Sequence, residues 1–105
     1  MTLPEHIQIK RKSPEIPDEQ GDYLFKHKFV ATQGARELLS MEDLMYVTMY
    51  LRNLAKENKG IDYMQVFTKG DTTFWAIDQL SITMISEGHY TDEQGYATIL
   101  LPSEY

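Results

Sequence analysis

The longest periodic pattern in the chain predicts an amphipathic helix from about residue 41 to residue 58. Ser40 stands at the N-cap position, and Asp43 follows three residues later as in a capping box. Gly60 is placed to end the helix in the left-handed conformation. Apolar residues recur at every third or fourth position and therefore share one side of the helix. This predicted buried stripe consists of Leu44, Val47, Leu51 and Leu54.

Shorter segments in which apolar and polar residues alternate predict β-strands. Two of them are separated by the turn residues Thr68-Lys69-Gly70-Asp71, which predicts a hairpin. Segment 81–94 is open between an extended strand, a short helix and a polar loop. The predicted strands cover residues 23–31, 62–68, 72–80 and 96–101, with a short edge strand around Ile7 and Ile9.

One helix covering one face of a sheet is the simplest way to bury these stripes. The sequence therefore predicts an α+β fold, in which a mainly antiparallel sheet of three to five strands carries the long helix on one face. Three of the four prolines fall within the first 21 residues, and each fixes φ and removes a backbone donor. Residues 1–21 are accordingly expected to form an extended N-terminal arm, and residues 22–105 a single α+β domain.

Composition agrees with a single globular domain and excludes several classes of protein. The 105 residues are 42% hydrophobic and 25% charged, which is enough apolar material to form a core. The absence of cysteine excludes disulfides, thiolate nucleophiles and sulfur metal sites. No apolar run approaches the roughly 18 residues of a membrane helix, and the first residues do not resemble a secretory signal. We expect no membrane partner and a cytoplasmic location.

Negative charge is concentrated in residues 61–105, where seven acids against one base give −6, the whole formal net charge. One interpretation is solubility. The other is an acidic face that meets a basic partner surface or imitates a nucleic-acid backbone. The carboxylates assigned to such a face are Asp62, Asp71, Asp78, Glu87, Asp92 and Glu93.

Groups that could support catalysis or bind a metal are sparse. His6, His27 and His89 do not have the spacing of a shared metal motif. Segment 87–93 could bring carboxylates and an imidazole to a divalent cation, but a solvated acidic loop is the simpler reading. Asp78 could serve as a general acid or base, or pair with a nearby donor. We expect that the protein is not an enzyme and binds no metal or cofactor. A catalytic or metal site at Asp78 or His89 is the rival hypothesis.

Basic residues in the first half raise the question of nucleic-acid binding. Lys10-Arg11-Lys12, Lys26, Lys28 and Arg36 could form a basic edge. The protein is acidic overall, so its long-range attraction to phosphate is weak. Lysines that protect an edge strand against aggregation explain the same residues, and we expect no direct binding of nucleic acid.

The predicted helix is apolar around more of its circumference than one sheet face requires. Met45 and Met49, and likewise Tyr46 and Tyr50, are spaced four residues apart beside the buried stripe. The N-terminal arm or segment 81–94 could cover them. Alternatively they form an exposed patch of adaptable side chains that binds a partner or a second copy as a homodimer.

From Phe29-Val30-Ala31-Thr32-Gln33-Gly34 onward, the chain resembles a family of short, uncharacterised bacterial proteins. The shared features are the Thr-x-Gly turn before a helix, the element Phe74-Trp75-Ala76-Ile77-Asp78 and the ending Ala97-Thr98-Ile99-Leu100-Leu101-Pro102-Ser103-Glu104-Tyr105. The resemblance covers about three-quarters of the chain. It implies a helix-on-sheet fold and supplies no catalytic residues.

In size, acidity and lack of a recognisable active site, the chain also looks like small phage-encoded proteins that block host defences, including anti-CRISPR and anti-restriction proteins. The sequence therefore predicts a stoichiometric binding protein that inhibits a nucleic-acid-handling host enzyme, such as a nuclease or another DNA-binding enzyme, through its acidic half. The alternative is a small regulatory or scaffold module that binds a host protein, or itself, through the helix face that carries Met and Tyr.

Overall fold

The computed structural model describes residues 3–10, 21–88 and 90–105, except for the side chain of Asp92. Within these ranges the chain forms a five-stranded sheet, one long helix and two short helices. In chain order the elements are β1 (Ile7–Lys10), β2 (Lys28–Ala31), α1 (Gln33–Leu38), α2 (Met41–Glu57), β3 (Met64–Lys69), β4 (Thr72–Asp78), α3 (Ile82–Ser86) and β5 (Tyr96–Leu100). The predicted α+β fold, with a mostly antiparallel sheet and one long helix, is confirmed.

The strands lie in the order β1-β3-β4-β5-β2. All neighbours are antiparallel except β2 and β5, which pair in parallel. The predicted hairpin is present, since Lys69 pairs with Thr72 across the two residues Gly70 and Asp71. Gly70 has φ +60 and is the first residue of this turn. A glycine in that position is typical of a type II′ turn, whose twist matches that of the strands.

Helix α2 begins and ends where the sequence predicts, with Ser40 as N-cap and Asn58 as C-cap. The Ser40 side chain accepts a hydrogen bond from the Asp43 N–H, and the Asp43 carboxylate accepts one from the Ser40 N–H, which completes the capping box. At the other end two successive residues have positive φ, Lys59 at +57 and Gly60 at +119. The Gly60 N–H bonds to the Ala55 carbonyl in a Schellman motif. A side chain at Gly60 would meet the Gly21 carbonyl, so glycine is needed there for space.

The core lies between α2 and one face of the sheet. On the helix side, the fully buried apolar residues are Val47, Leu51 and Ala55, and the predicted stripe residues Leu44 and Leu54 pack beside them. On the sheet side, the Phe67 and Phe74 rings stack at 5.2 Å between centroids. The remaining buried sheet residues on this face include Ile7, Ala76, Ala97 and Ile99.

The strand predicted for residues 23–31 is shorter than expected, because only Lys28–Ala31 is paired as a strand. Phe25 has φ +50, a conformation that interrupts an extended segment, and its ring is fully buried in the core. Tyr23 makes one isolated bridge to Ile61.

The structure also describes part of the predicted N-terminal arm and most of segment 81–94. Part of the predicted N-terminal arm is the edge strand β1, which belongs to the sheet, while residues 11–20 lie outside the described ranges. Segment 81–94 holds the short helix α3, with Ser81 as its N-cap, and a 3-10 turn at Asp92–Gln94. No helix in the described part of the chain is long and apolar enough to cross a membrane.

Candidate functional site: the open face of the sheet

The face of the sheet that points away from α2 carries apolar side chains at its centre. Alternation along β3, β4 and β5 places two cross-strand rows on this side, and their registers follow from the strand pairing. We call these six residues the open face: Val66, Trp75 and Leu100 in one row, and Met64, Ile77 and Thr98 in the other. Strand β4 is therefore apolar on both of its sides, although α2 covers only one.

A cleft of about 410 Å³, here called the tyrosine cleft, lies over the second of these rows. Tyr23 and Tyr63 contact each other with ring centroids 6.0 Å apart. Tyr105 stands edge-on against Trp75 at 5.7 Å. The lining residues are Tyr23, Tyr63, Ile77, Asp78, Gln79, Thr98, Leu100, Glu104 and Tyr105.

A second cleft of about 380 Å³ adjoins the first and shares Gln79 with it. Its other lining residues are Leu80, Met84, Tyr90, Gln94 and Tyr96. Five of the seven tyrosines of the chain therefore line these two clefts. Four of them are exposed at the surface: Tyr63, Tyr90, Tyr96 and Tyr105.

The tyrosine cleft lies in a negative electrostatic environment. Burial, followed by the negative charges of Asp78, Asp22 and Asp62, raises the pKa of Tyr23 above its ordinary value. The Asp22 carboxylate accepts a hydrogen bond of 2.8 Å from the Thr83 N–H. Its contacts with Thr83 lower the pKa of Asp22, which keeps this carboxylate ionised at neutral pH.

The C-terminal turn forms one wall of the cleft and is held by Glu104. The Glu104 carboxylate accepts hydrogen bonds from the Thr32 hydroxyl at 2.5 Å, the Gly34 N–H at 3.0 Å and the Leu101 N–H at 2.9 Å. The Thr32 contact is the main reason that the pKa of Glu104 is lowered. These contacts fix the position of Tyr105, the next residue.

The described carboxylates that the sequence assigned to one acidic face do not all lie together. Asp71 is in the β3–β4 turn, whereas Asp62 precedes β3 at its opposite end. A six-residue strand spans roughly 20 Å. Glu87 and Glu93 are exposed on the connection between β4 and β5, at the same end of the sheet as Asp62. The side chain of Asp92 lies outside what the structure describes.

Asp78 is only 2% exposed, so its assignment to an acidic surface is corrected. Its Oδ2 accepts a hydrogen bond of 3.0 Å from the Phe25 N–H, and its Oδ1 lies 3.9 Å from Nδ1 of the buried His27. Burial raises the pKa of Asp78. This carboxylate contacts the segment before β2, and its side chain is shielded from solvent.

The predicted helix face is divided between core and surface. Met45 and Met49 are 50% and 37% exposed, and Met41, one turn earlier, is 84% exposed. Tyr50 instead packs against the core, edge-on to Phe67, and Tyr46 is half-buried. The exposed apolar part of α2 is thus a methionine stripe (Met41, Met45 and Met49), and the assignment of Tyr50 to an exposed patch is corrected.

Another cluster of charged groups is structural. His6 Nε2 donates to Asp43 Oδ1 at 2.6 Å, and Lys69 Nζ donates to Asp43 Oδ2 at 3.0 Å and to the Leu38 carbonyl at 2.8 Å. These contacts join β1, α2 and the hairpin. Among the described residues, no three His, Asp or Glu side chains are grouped to hold a metal ion, and His89 lies outside the described residues.

Comparisons with known proteins give no relative for this chain: no protein-family model, no curated protein and no solved structure matches it. The resemblance to a family of short bacterial proteins therefore stays a prediction. The site rests on the geometry of this chain alone.

Sequence reasoning missed the tyrosines around the clefts, although a signal was present. An acid directly precedes tyrosine at Asp22-Tyr23, Asp62-Tyr63 and Glu104-Tyr105. The three pairs are far apart in sequence, and all three tyrosines line the tyrosine cleft. A search for repeated dipeptides could have identified them; their convergence required the strand order.

Proposed function

We propose that this protein is a stoichiometric binding protein that holds a basic surface of another protein against its open face. The gathering of five of the seven tyrosines around the two clefts carries this proposal. Tyrosine is enriched at protein-binding surfaces because it offers a large contact area at low cost in conformational entropy, with a polar tip. In the rows beneath the clefts, Ile77 and Leu100 are already buried, while Met64, Val66 and Trp75 are partly exposed and add apolar area that a partner can bury.

The charge around the clefts indicates the kind of partner. No lysine or arginine is among the described residues that line either cleft. On this side of the sheet, the nearest bases stand on the two edge strands, where Lys10 pairs with Val66 and Lys28 pairs with Tyr96. Surfaces that bind DNA are basic and complement such a site. The partner we propose is therefore a nuclease or another DNA-binding enzyme, inhibited by covering that surface as phage-encoded anti-defence proteins do.

The test compares three forms of the protein as bait in bacterial lysate, washed at low and at high salt. They are the wild type, a cleft variant (Tyr63→Ser with Tyr105→Ser) and a helix variant (Met45→Ser with Met49→Ser). We expect the wild type and the helix variant to retain one common partner and the cleft variant to lose it. High salt should weaken the retention because opposite charges across an interface are screened.

The captured protein is then purified and its own activity measured with increasing amounts of wild type. A defined stoichiometry at the inhibition end point supports the proposal. Equal retention by the cleft variant and the wild type would contradict it, as would a partner that binds without any loss of activity.

A second candidate function, self-association, is favoured by the methionine stripe of α2. Glu42, Met49 and Lys56 follow one another at seven-residue intervals and so lie on the same side of the helix. If two copies pack α2 antiparallel around Met49, Glu42 of each copy meets Lys56 of the other. Light scattering at increasing concentration tests this dimer, and Met49→Lys should leave only monomer. A monomer at every concentration of the wild type would exclude it.

A further inference from the structure

We infer that the tyrosine cleft is a cation site that takes the guanidinium group of an arginine on the partner protein. This inference rests on the proposed function and names the chemical group that the open face recognises. It differs from a general acidic face because the cation is held by aromatic rings as well as by carboxylates.

The dimensions of the cleft suit one long side chain. Its volume of about 410 Å³ falls within the range of small-ligand sites, roughly 300–1,000 Å³. The paired rings of Tyr23 and Tyr63 are inclined by 55° at one side, and Tyr105 extends from the C-terminal turn at another. A planar cation that enters between them can contact more than one ring face.

Every polar side chain that lines the cleft can accept a hydrogen bond. Glu104 lines the wall as an ionised carboxylate, and three donors occupy only part of its roughly four acceptor positions. The Thr98 hydroxyl and the Gln79 amide are further lining groups that contain acceptor oxygens. Such a set matches a ligand that has donors and no acceptor.

The charge at the cleft is negative, with no base to neutralise it among the described lining residues. Asp22 and Asp62 are each adjacent in sequence to one of the paired tyrosines, and their field reaches the Tyr23 hydroxyl. An aromatic ring attracts a cation through its negative face. Rings and carboxylates therefore favour the same charge.

Arginine fits this site better than lysine. A guanidinium group is flat, stacks on aromatic faces, is weakly hydrated and carries five N–H donors. A lysine ammonium is compact and strongly hydrated, so moving it between tyrosine rings costs more of its hydration. Arginine is also enriched where proteins contact phosphate, in agreement with a partner that binds DNA.

Trp75, the single tryptophan of the chain, is a built-in probe because it touches Tyr105 at the cleft. The full-length protein is titrated with acetyl-Gly-Arg-Gly-amide, and the emission of Trp75 is recorded. The matched peptide contains citrulline, which has nearly the same shape without the charge. We expect saturable binding of the arginine peptide with Kd on the order of 1 mM, and binding of the citrulline peptide weaker by roughly tenfold or more.

Substitutions at Tyr63 test whether the arginine peptide binds in the tyrosine cleft. Tyr63→Leu should weaken binding of the arginine peptide roughly three- to fivefold, whereas Tyr63→Phe keeps the ring and should bind like the wild type. Met45→Leu on α2 is the control at a distance and should also bind like the wild type. Far-ultraviolet circular dichroism and the Tm of each variant verify that it is folded.

Equal affinity for the arginine and citrulline peptides would overturn the inference, and so would unchanged affinity in Tyr63→Leu. These results are distinct from those that test the proposed function. If the cleft variant loses the partner but the citrulline peptide binds as tightly as the arginine peptide, only the cation site is refuted. If the cleft binds arginine selectively but the partner is retained equally by the wild type and the cleft variant, only the proposed function is refuted.

Discussion

Replacement of Asp43 by asparagine is expected to destabilise the protein by about 2 kcal/mol near pH 6. The Asp43 carboxylate is almost fully buried and accepts hydrogen bonds from His6, Lys69 and the Ser40 N–H. Although its burial acts to raise its pKa, the bonds from His6 and Lys69 prevail and lower the pKa from the ordinary 3.8 to about 2. At about 1.4 kcal/mol per pKa unit, this difference corresponds to about 2 kcal/mol.

The sign of the pH dependence follows from the lowered pKa. A carboxyl that is more acidic in the folded state contributes its full stability above its unfolded pKa and loses it as pH falls through the folded value. The contribution of Asp43 should therefore be complete above about pH 5 and mostly lost at about pH 2. Asparagine has the same shape and retains an acceptor for the Ser40 N–H, so the charge is the main change.

The assay is urea unfolding, followed by circular dichroism at several pH values between about 6 and 2. Glu42→Gln is the matched control, because it removes a neighbouring but exposed carboxylate from the same first turn of α2. Loss of that charge from the positive end of the helix should cost only about 0.3–1 kcal/mol. The reasoning is refuted if the two variants are equally stable near pH 6, or if the deficit of Asp43→Asn stays constant down to pH 2.

Three further substitutions test separate features by the same unfolding measurement. Lys59→Gly should stabilise the protein by about 0.5–1 kcal/mol, because Lys59 holds φ +57 at the end of α2; no gain would show that this conformation is not strained. Asp78→Asn should be at least as stable as the wild type at pH 7, because burial raises the pKa of Asp78 and makes its charge unfavourable. Any gain in stability should shrink as pH falls toward 3.8, since protonation then removes the buried charge from the wild type. A loss of more than about 1 kcal/mol would show that the charge is needed. Phe67→Ala should cost about 3–5 kcal/mol, since its buried ring stacks on Phe74; a loss below about 1 kcal/mol would mean that this core collapses around the cavity.

The elements that the sequence predicts best are those in which one local signal determines one structure. The capping box at Ser40, the four-residue stripe of α2 and the glycine turn at Gly70 each act over a few residues. The packing of the core agrees with the structures that these local signals favour. The strand around residues 23–31 is the opposite case, because the φ of Phe25 accompanies a hydrogen bond to Asp78, 53 residues away.

The candidate site was harder to predict because it depends on strand order. The sequence shows that residues 61–105 are acidic, but it does not show that Asp71 lies at the far end of the hairpin or that Asp78 is enclosed. It also shows a helix rich in Met and Tyr, while the division between the buried Tyr50 ring and the exposed Met45 follows from how α2 sits on the sheet. Patterns along one segment do not contain such information.

The pattern of β4 connects the fold to the proposed function. Phe74 and Ala76 face the core, while Trp75 and Ile77 occupy the open face. A strand that is apolar on both sides is typical of a sheet that is covered on both sides, yet α2 covers only one. Tyr105 shields part of the second side by contacting Trp75. The rest is bordered by tyrosine-lined clefts, whose side chains tolerate water and can also be buried. In the proposed function, a protein partner binds the open face, where apolar area, aromatic rings and negative charge would act together.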